Sequence, residues 1–262
     1  MPKTDFFFAQ PLMNAAGMLG FFPDPHSPLD FSRFGAFVTN PISRLPRTPA
    51  NGTRYMPYPG GFLLHTGLPN PGLSQALRRY GRYWASASLP VIVHLLAQNP
   101  DELGWMVERI EGAGSVMGIE VGLPPDADAS LAAQFAQAAL GELPVLVRVP
   151  LDGSLILAQA AVDAGASAVS LGAPRGLLPS PYEGEGSGVR VSGRLNGPAI
   201  FPLALRAVEQ LARAGLPVIG AGGVRSASEV EIMLKAGASA VQIGTSLWKS
   251  GYIPGVESTI QI

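Results

Sequence analysis

Short apolar runs recur along this chain, each four to six residues long and mostly bounded by Gly, Pro, Asn or Ser. They fall at 12–15, 36–39, 91–95, 116–121, 145–149, 168–171, 218–221 and 240–243. Several are apolar at successive positions, as parallel strands are when helices cover one face and a core fills the other. Between most of them the apolar spacing changes to a helical period, at 71–87, 101–111, 130–140, 154–164, 200–214 and 226–235. Punctuation agrees with this reading. Asn99-Pro100 opens the second helix, Ser226 and Glu229 form a capping box, and Gly165, Gly215 and Gly237 stand where helices close. Ala164-Gly165-Ala166-Ser167-Ala168 and Ala236-Gly237-Ala238-Ser239-Ala240 repeat one helix-to-strand joint. Eight strands alternating with helices predict an α/β fold, a (β/α)8 TIM barrel. The alternative is an open doubly wound sheet. Eight is a closing number, and no G-x-G-x-x-G follows the first strand.

The expectation is one barrel domain over 1–262 with two long connections, at about 40–72 and 173–199. Both leave C-terminal ends of strands, the face where barrel active sites sit, and loops this long are functional lids or mobile segments. The 32 glycines and 25 prolines are spread along the whole length, which reads as many turns and not as a low-complexity tract. Of 262 residues 47% are hydrophobic and 14% charged, with a net charge of −1. That balance supports a buried core and argues against disorder. Without a polybasic run, a nucleic-acid partner is not expected. No apolar run reaches the roughly 18 residues of a membrane helix, and Phe6-Phe7-Phe8 lacks the basic flank of a signal peptide. A soluble, cytoplasmic protein is the expectation. There is no cysteine, so thiolate chemistry and disulfides are excluded. The three histidines (His26, His65 and His94) are not spaced i, i+4, so no metal site is expected.

The candidate chemistry begins near the C-terminus. The seventh strand ends in Gly220-Ala221-Gly222-Gly223-Val224, just before the capped helix, and the eighth ends in Ile243-Gly244-Thr245-Ser246. Glycines let the backbone approach an anion and aim its N–H groups inward, and a helix N-terminus adds positive potential. In barrels these two loops commonly hold phosphate. Arg225 is the sole arginine in either loop, so backbone amides would carry the binding.

Five motifs resemble, in order, those of the dihydroorotate dehydrogenases, FMN-dependent (β/α)8 enzymes of pyrimidine synthesis. They are Met13-Asn14-Ala15-Ala16-Gly17, Gly67-Leu68-Pro69-Asn70, Leu195-Asn196-Gly197-Pro198-Ala199, Gly220-Ala221-Gly222-Gly223-Val224 and Gln242-Ile243-Gly244-Thr245. The resemblance implies that Ala15, Ala16 and Gly17 back the isoalloxazine ring and that Gly197 approaches the phosphate or ribityl chain. Gly222, Gly223, Gly244 and Thr245 would hold the phosphate. Arg148 takes the place of a family lysine that contacts the flavin, and its cation would stabilise the reduced flavin's N1–C2=O edge; its fork is larger than an ammonium. The resemblance allows a homodimer.

On the substrate side the chain departs from the family. The family's base, Cys or Ser, lies in a motif like Asn-x-Ser-x-Pro-Asn, matched here by Glu120-Val121-Gly122-Leu123-Pro124-Pro125. In the cysteine branch the base falls on Leu123, which cannot accept a proton, and the two asparagines become Glu120 and Pro125. An active-site lysine becomes Asn40. Further asparagines fall on Leu64, beside His65, and near Gly172. Losing a site's polar groups weakens binding by kilocalories each, so dihydroorotate oxidation is not expected.

The remaining candidates each carry two readings. Glu120 is a general acid/base or a structural partner of Arg148. His94 is a hydrogen-bonded barrel histidine or a proton donor near the flavin. His65 is a substrate contact or a surface loop residue, and His26 belongs to a proline-rich loop. Arg175, Arg190 and Arg194 either clamp an anionic substrate or lie on a solvated loop. Tyr55, Tyr58 and Tyr182 are lid aromatics or surface packing. The leading expectation is an FMN-binding oxidoreductase acting on a changed small-molecule substrate by hydride transfer through flavin N5. Glu120, His65 or His94 would handle protons. The alternatives are a non-catalytic barrel binding FMN or a phosphate ligand, as scaffold or partner subunit, and a flavin-free barrel isomerase or synthase.

Overall fold

The structure is a computed structural model that describes residues 6–114, 116–180 and 189–249. The Tyr182–Gly188 part of the second long connection, including the candidate lid residue Tyr182, lies outside the described residues. Eight parallel strands build the central sheet: β1 (Leu12–Asn14), β2 (Phe37–Val38), β6 (Val91–Leu96), β7 (Gly118–Gly122), β8 (Val145–Pro150), β9 (Ala168–Gly172), β12 (Val218–Ala221) and β13 (Ala240–Ile243). Their order is β1-β13-β12-β9-β8-β7-β6-β2. A single parallel bridge between Met13 and Ala36 brings the two ends together. The barrel expected from the eight apolar runs is therefore present, and each run holds its strand within one or two residues. The short strand β3 (Ile42–Ser43) extends the sheet by pairing with the end of β6.

Six helices lie between strands: α1 (Leu73–Ala85), α2 (Pro100–Glu111), α3 (Ala129–Ala138), α4 (Ser154–Asp163), α5 (Phe201–Arg213) and α6 (Ala227–Lys235). Their caps are local chemistry. The Asn99 side chain accepts from the Glu102 N–H at 2.8 Å, and Asp128 from the Leu131 N–H at 2.8 Å. Ser226 accepts from the Glu229 N–H at 3.3 Å, while Glu229 reaches back to the Arg225 N–H, one residue before the cap.

Side chains alternate across each strand. The outward set, including Val91, Val93, Ile119, Val121, Val145, Val147, Val169 and Val241, is buried under the helices. The inward set changes character with height. Its lowest layer is apolar: Met13, Ala36, Ile92, Leu146, Ala168, Ile219 and Ala240 form one buried cluster, against which Phe6 and Phe8 pack from below. Those two rings stack at 5.5 Å between centroids, and the intervening Phe7 is 83% exposed. The next inward positions are polar (His94, Glu120, Arg148, Ser170, Gln242), and above them come Gly122, Gly172 and Gly244. Apolar floor, polar middle and glycine rim leave room for a ligand only at the C-terminal mouth.

The two long connections are not structureless lids. They carry β4 (Tyr55–Tyr58), β5 (Gly61–Leu64), β10 (Arg175–Pro179) and β11 (Arg190–Asn196), which pair antiparallel in the order β10-β11-β5-β4. The sequence signal is weak because Pro57, Gly61, Gly176 and Gly193 interrupt the runs. What pairs them is tertiary: β11 of one connection bonds β5 of the other, with Arg194, Leu195 and Asn196 opposite Leu64, Leu63 and Phe62. Among the described residues, no helix is long and apolar enough to cross a membrane.

Candidate functional site

A cavity of about 920 Å³ opens at the C-terminal ends of the barrel strands. Its walls come from the segment after β1 (Ala16, Gly17, Met18), the ends of β6 to β9, and the antiparallel sheet above. Trp248 closes one side; its indole N–H donates to the Met18 carbonyl at 3.1 Å and its ring stacks near Phe62.

The floor of the cavity is a buried polar network centred on Glu120. One carboxylate oxygen accepts from the Ser170 hydroxyl at 2.6 Å and from the Gln242 amide at 2.7 Å. The other faces His94 Nδ1 at 2.5 Å, with an Arg148 guanidinium nitrogen at 3.8 Å. Glu120 is wholly inaccessible and His94 is 1% exposed. Burial alone would raise the carboxyl of Glu120. The His94 hydrogen bond, the Arg148 charge and the Ser170 hydroxyl outweigh it and hold the group well below the usual carboxylate range. Burial pulls His94 below its ordinary value against the pull of Glu120, and the Arg148 and Arg194 charges add to that lowering. The arrangement is thus an ionised Glu120 accepting Nδ1–H from a neutral imidazole, whose Nε2 keeps its lone pair. Nε2 points toward Gly122, where a Cβ would come within 2.9 Å of it and within 2.7 Å of Leu96 Cδ2. A side chain at 122 and the His94 ring therefore compete for one volume.

The other sequence candidates fall into three groups. Ala16, Gly17, His65 and Arg148 line the cavity with His94. His65 stands at the mouth just after β5, its backbone N–H bonded to the Arg54 carbonyl at 2.8 Å. Ala15 lies lower, its N–H bonded to the Ile243 carbonyl at 2.7 Å, beside Gly244. Gly222, Gly223, Gly244 and Thr245 lie beyond the cavity's walls, in the loops after β12 and β13. Gly223 has φ +71°, and a Cβ there would stand 2.4 Å from the Phe201 nitrogen, so the loop is held against the N-terminus of α5 by the absence of a side chain. Two candidates serve neighbouring backbone. The Asn40 side chain accepts from the Gly20 N–H at 3.1 Å, pinning the loop after β1. Gly197 abuts the β4–β5 turn, where a Cβ would lie 2.5 Å from Gly61 Cα. Leu123 lines the cavity and offers no proton acceptor. Of the arginines, Arg175 and Arg194 reach the cavity, whereas Arg190 is exposed and does not line it. Arg225 is engaged with Glu229 at 2.9 Å.

Sequence reading missed Ser170 and Gln242. Each is the lone polar residue of an otherwise apolar strand, two positions above an inward alanine, and that parity was the available signal.

A phosphorylated flavin of the kind the resemblance implies fits the remaining chemistry. Among the described residues, three buried side-chain polar atoms lack a partner: Arg148 Nε, Gln242 Oε1 and Ser246 Oγ. All three belong to the cavity floor or the loop after β13. Unpaired buried polar atoms are rare and ask for a ligand or water. The amides of Gly223 and Gly244 also donate to no acceptor among the described residues. Gly223, Gly244, Thr245 and Ser246 can together hold a phosphate, and Arg148 can meet an electron-rich edge.

Comparison with known proteins agrees with this arrangement. The family model described as dihydroorotate dehydrogenase matches residues 4–150 and 183–260, both halves of the barrel. A relative from Pelobacter propionicus, named dihydroorotate dehydrogenase B (NAD(+)), catalytic subunit, is 34% identical over 253 residues, covering 90% of this chain and 83% of its own. Proteins of the same name from Trichlorobacter lovleyi and Geotalea uraniireducens are 32% and 31% identical over 252 residues, with the same coverage. With the eight-stranded barrel, the glycine loops after its last two strands and a match along most of its length, this chain belongs to the dihydroorotate dehydrogenase family.

Proposed function

We propose that this protein is an FMN-dependent oxidoreductase whose small-molecule substrate differs from dihydroorotate. The observation that carries the reading is the Glu120–His94 pair: a neutral imidazole, oriented by a buried carboxylate, at the floor of a strand-end cavity into which Leu123 brings no base. When bound, FMN would supply a two-electron centre that takes or gives hydride at N5. Arg148 would set its charge against the N1–C2=O edge. His94 Nε2 would accept the proton leaving the substrate as hydride departs from the neighbouring carbon. Glu120 would position the ring, fix the Nδ1–H tautomer and stabilise the imidazolium that forms. The glycine loops after β12 and β13 would hold the phosphate by backbone amides. A cytoplasmic location goes with this reading.

The test is an absorption spectrum of gently purified protein with and without added FMN, followed by anaerobic screening of reductants for flavin bleaching. About one flavin per chain and reduction by a small molecule are expected. A colourless protein that stays colourless with excess FMN refutes the proposal. Leu123 favours a second reading, a flavin-binding barrel without catalysis, and any turnover above that of free FMN eliminates it. Within the leading reading, His94→Gln should lower turnover by about 10²–10⁴-fold while flavin content is unchanged.

A further inference from the structure

The cavity carries more positive charge than the proposed reaction uses. Among the described residues, Arg47, Arg148, Arg175 and Arg194 line it, against a single lining carboxylate, Glu102. Glu102 sits at the start of α2, where it accepts from the Gln98 N–H at 2.8 Å. Glu120, beneath the floor, is the counterion of Arg148. Among the described residues, Arg175 and Arg194 have no carboxylate within 4.0 Å and no side-chain hydrogen bond; the arginine and lysine ion pairs found there involve Arg33, Arg148, Arg213, Arg225 and Lys235.

These two arginines are placed by sheet register. Arg175 of β10 stands directly opposite Arg194 of β11 in the antiparallel pair. Opposed residues in such a pair have Cα atoms about 4.5–5.5 Å apart, and like charges there are destabilising. Arg148 approaches from below. Its side chain crosses Gly172, where a Cβ would lie 3.5 Å from Nε, and that Nε is buried and unpartnered. Arg194 is crowded enough that burial, with Arg148 and Arg175 beside it, brings its guanidinium down to about 10. Arg148 has Glu120 as its counterion, whereas Arg194, which is half-buried, and Arg175, whose side chain reaches solvent, face each other with no anion between them among the described residues.

We infer that the substrate is a doubly charged small anion, a dicarboxylate or a phosphomonoester, gripped by Arg175 and Arg194 above the floor held by Arg148. The inference rests on the proposed reading, in which Arg148 faces the flavin and leaves the two hairpin arginines to the substrate. Each guanidinium presents a planar fork to two oxygens, so the pair recognises two anionic groups or one divalent group. The asparagines expected of the family on this side are absent, and the hairpin arginines supply a different recognition chemistry.

Calorimetric titration of the flavin-loaded protein at constant ionic strength tests this. Succinate and inorganic phosphate are the dianionic probes, acetate and orotate the singly charged ones. At least one dianion should bind at least tenfold more tightly than either monoanion. Arg194→Gln and Arg175→Gln should each weaken that binding at least tenfold, and Arg190→Gln, on the same hairpin but outside the cavity, should leave it unchanged. Succinate as the tighter dianion assigns a dicarboxylate, and phosphate assigns a phosphomonoester. Monoanions binding as well as dianions, or equal weakening by Arg190→Gln, overturns the inference. So does Arg194-independent binding. Flavin content, read from the visible spectrum of every sample, separates the outcomes: failure to load FMN defeats the proposed function, whereas loaded protein that ignores dianions defeats the inference alone.

Discussion

A carboxylate sealed from water keeps its charge only where donors replace the lost hydration. Glu120 has three hydrogen-bond donors and a guanidinium at 3.8 Å, and these four partners come from four different strands, β6, β8, β9 and β13. This coordination makes stability pH-dependent in a defined direction. His94 is lowered from 6.5 and Glu120 from 4.5, so in both cases the unfolded chain binds protons at pH values where the folded chain does not. Their stabilisation is complete above the unfolded values and is lost as pH falls toward the folded ones. Thermal unfolding midpoints should therefore fall on acidification below about 6.5, and more steeply below about 4.5. A His94→Gln variant should lose the first part of that fall. Midpoints that stay level between pH 7 and 4.5 contradict the assignment of charge. Replacing Glu120 by Leu strands Arg148 and should lower unfolding free energy by about 3–5 kcal/mol, read from urea titration.

At the scale of elements, the barrel's closure depends on a side chain. Between β1 and β2 the backbone ladder is reduced to the Met13–Ala36 bridge. One step higher, Asn14 takes over: its amide donates to the Val38 carbonyl at 2.6 Å and its oxygen accepts from the Val38 N–H at 3.0 Å. Asn14 does here what a paired backbone residue would do. Asn14→Ala leaves both buried Val38 groups unpaired, at a cost of about 1–3 kcal/mol each. The expected outcome is a fall in stability of about 2–5 kcal/mol, with amide exchange at Val38 accelerated far more than at β8 or β9. Unchanged exchange at Val38 would mean that the ladder closes without the side chain. The capped helices show the opposite case, because Asn99, Asp128 and Ser226 satisfy their N-termini within three residues of chain.

Across the whole molecule, the barrel and the antiparallel sheet above it rest on unequal cores. The barrel shares one large buried cluster with its helices, whereas the buried side chains of the upper sheet are Met56, Leu63 and Val191. Little buried apolar area means cheap local opening. Amides of β4, β5, β10 and β11 should exchange orders of magnitude faster than those of β6 to β9, and a saturating flavin or anion should slow them. Equal protection of both sheets would show one cooperative unit. This division also marks where reading the chain stops. The eight strands, six helices and their caps were legible because periodicity and capping are local: a run such as Val218–Ala221 is apolar wherever it goes, and Asn99 caps whatever helix follows. Glu120, His94, Arg148 and the glycine loops stood out as polar or conformationally special residues at strand ends. Ser170 and Gln242 did not: strand parity marks them as facing inward, but nothing local says that the group they meet is the carboxylate of Glu120. The upper sheet, the opposition of Arg175 to Arg194 and the meeting of His94 with Glu120 exist only once strands far apart in sequence are set in register. The sequence by itself determined the secondary elements, the barrel and the glycine loops. Which charges share one cavity was decided by tertiary structure, because burial and pairing are properties of neighbours that the chain brings together only on folding.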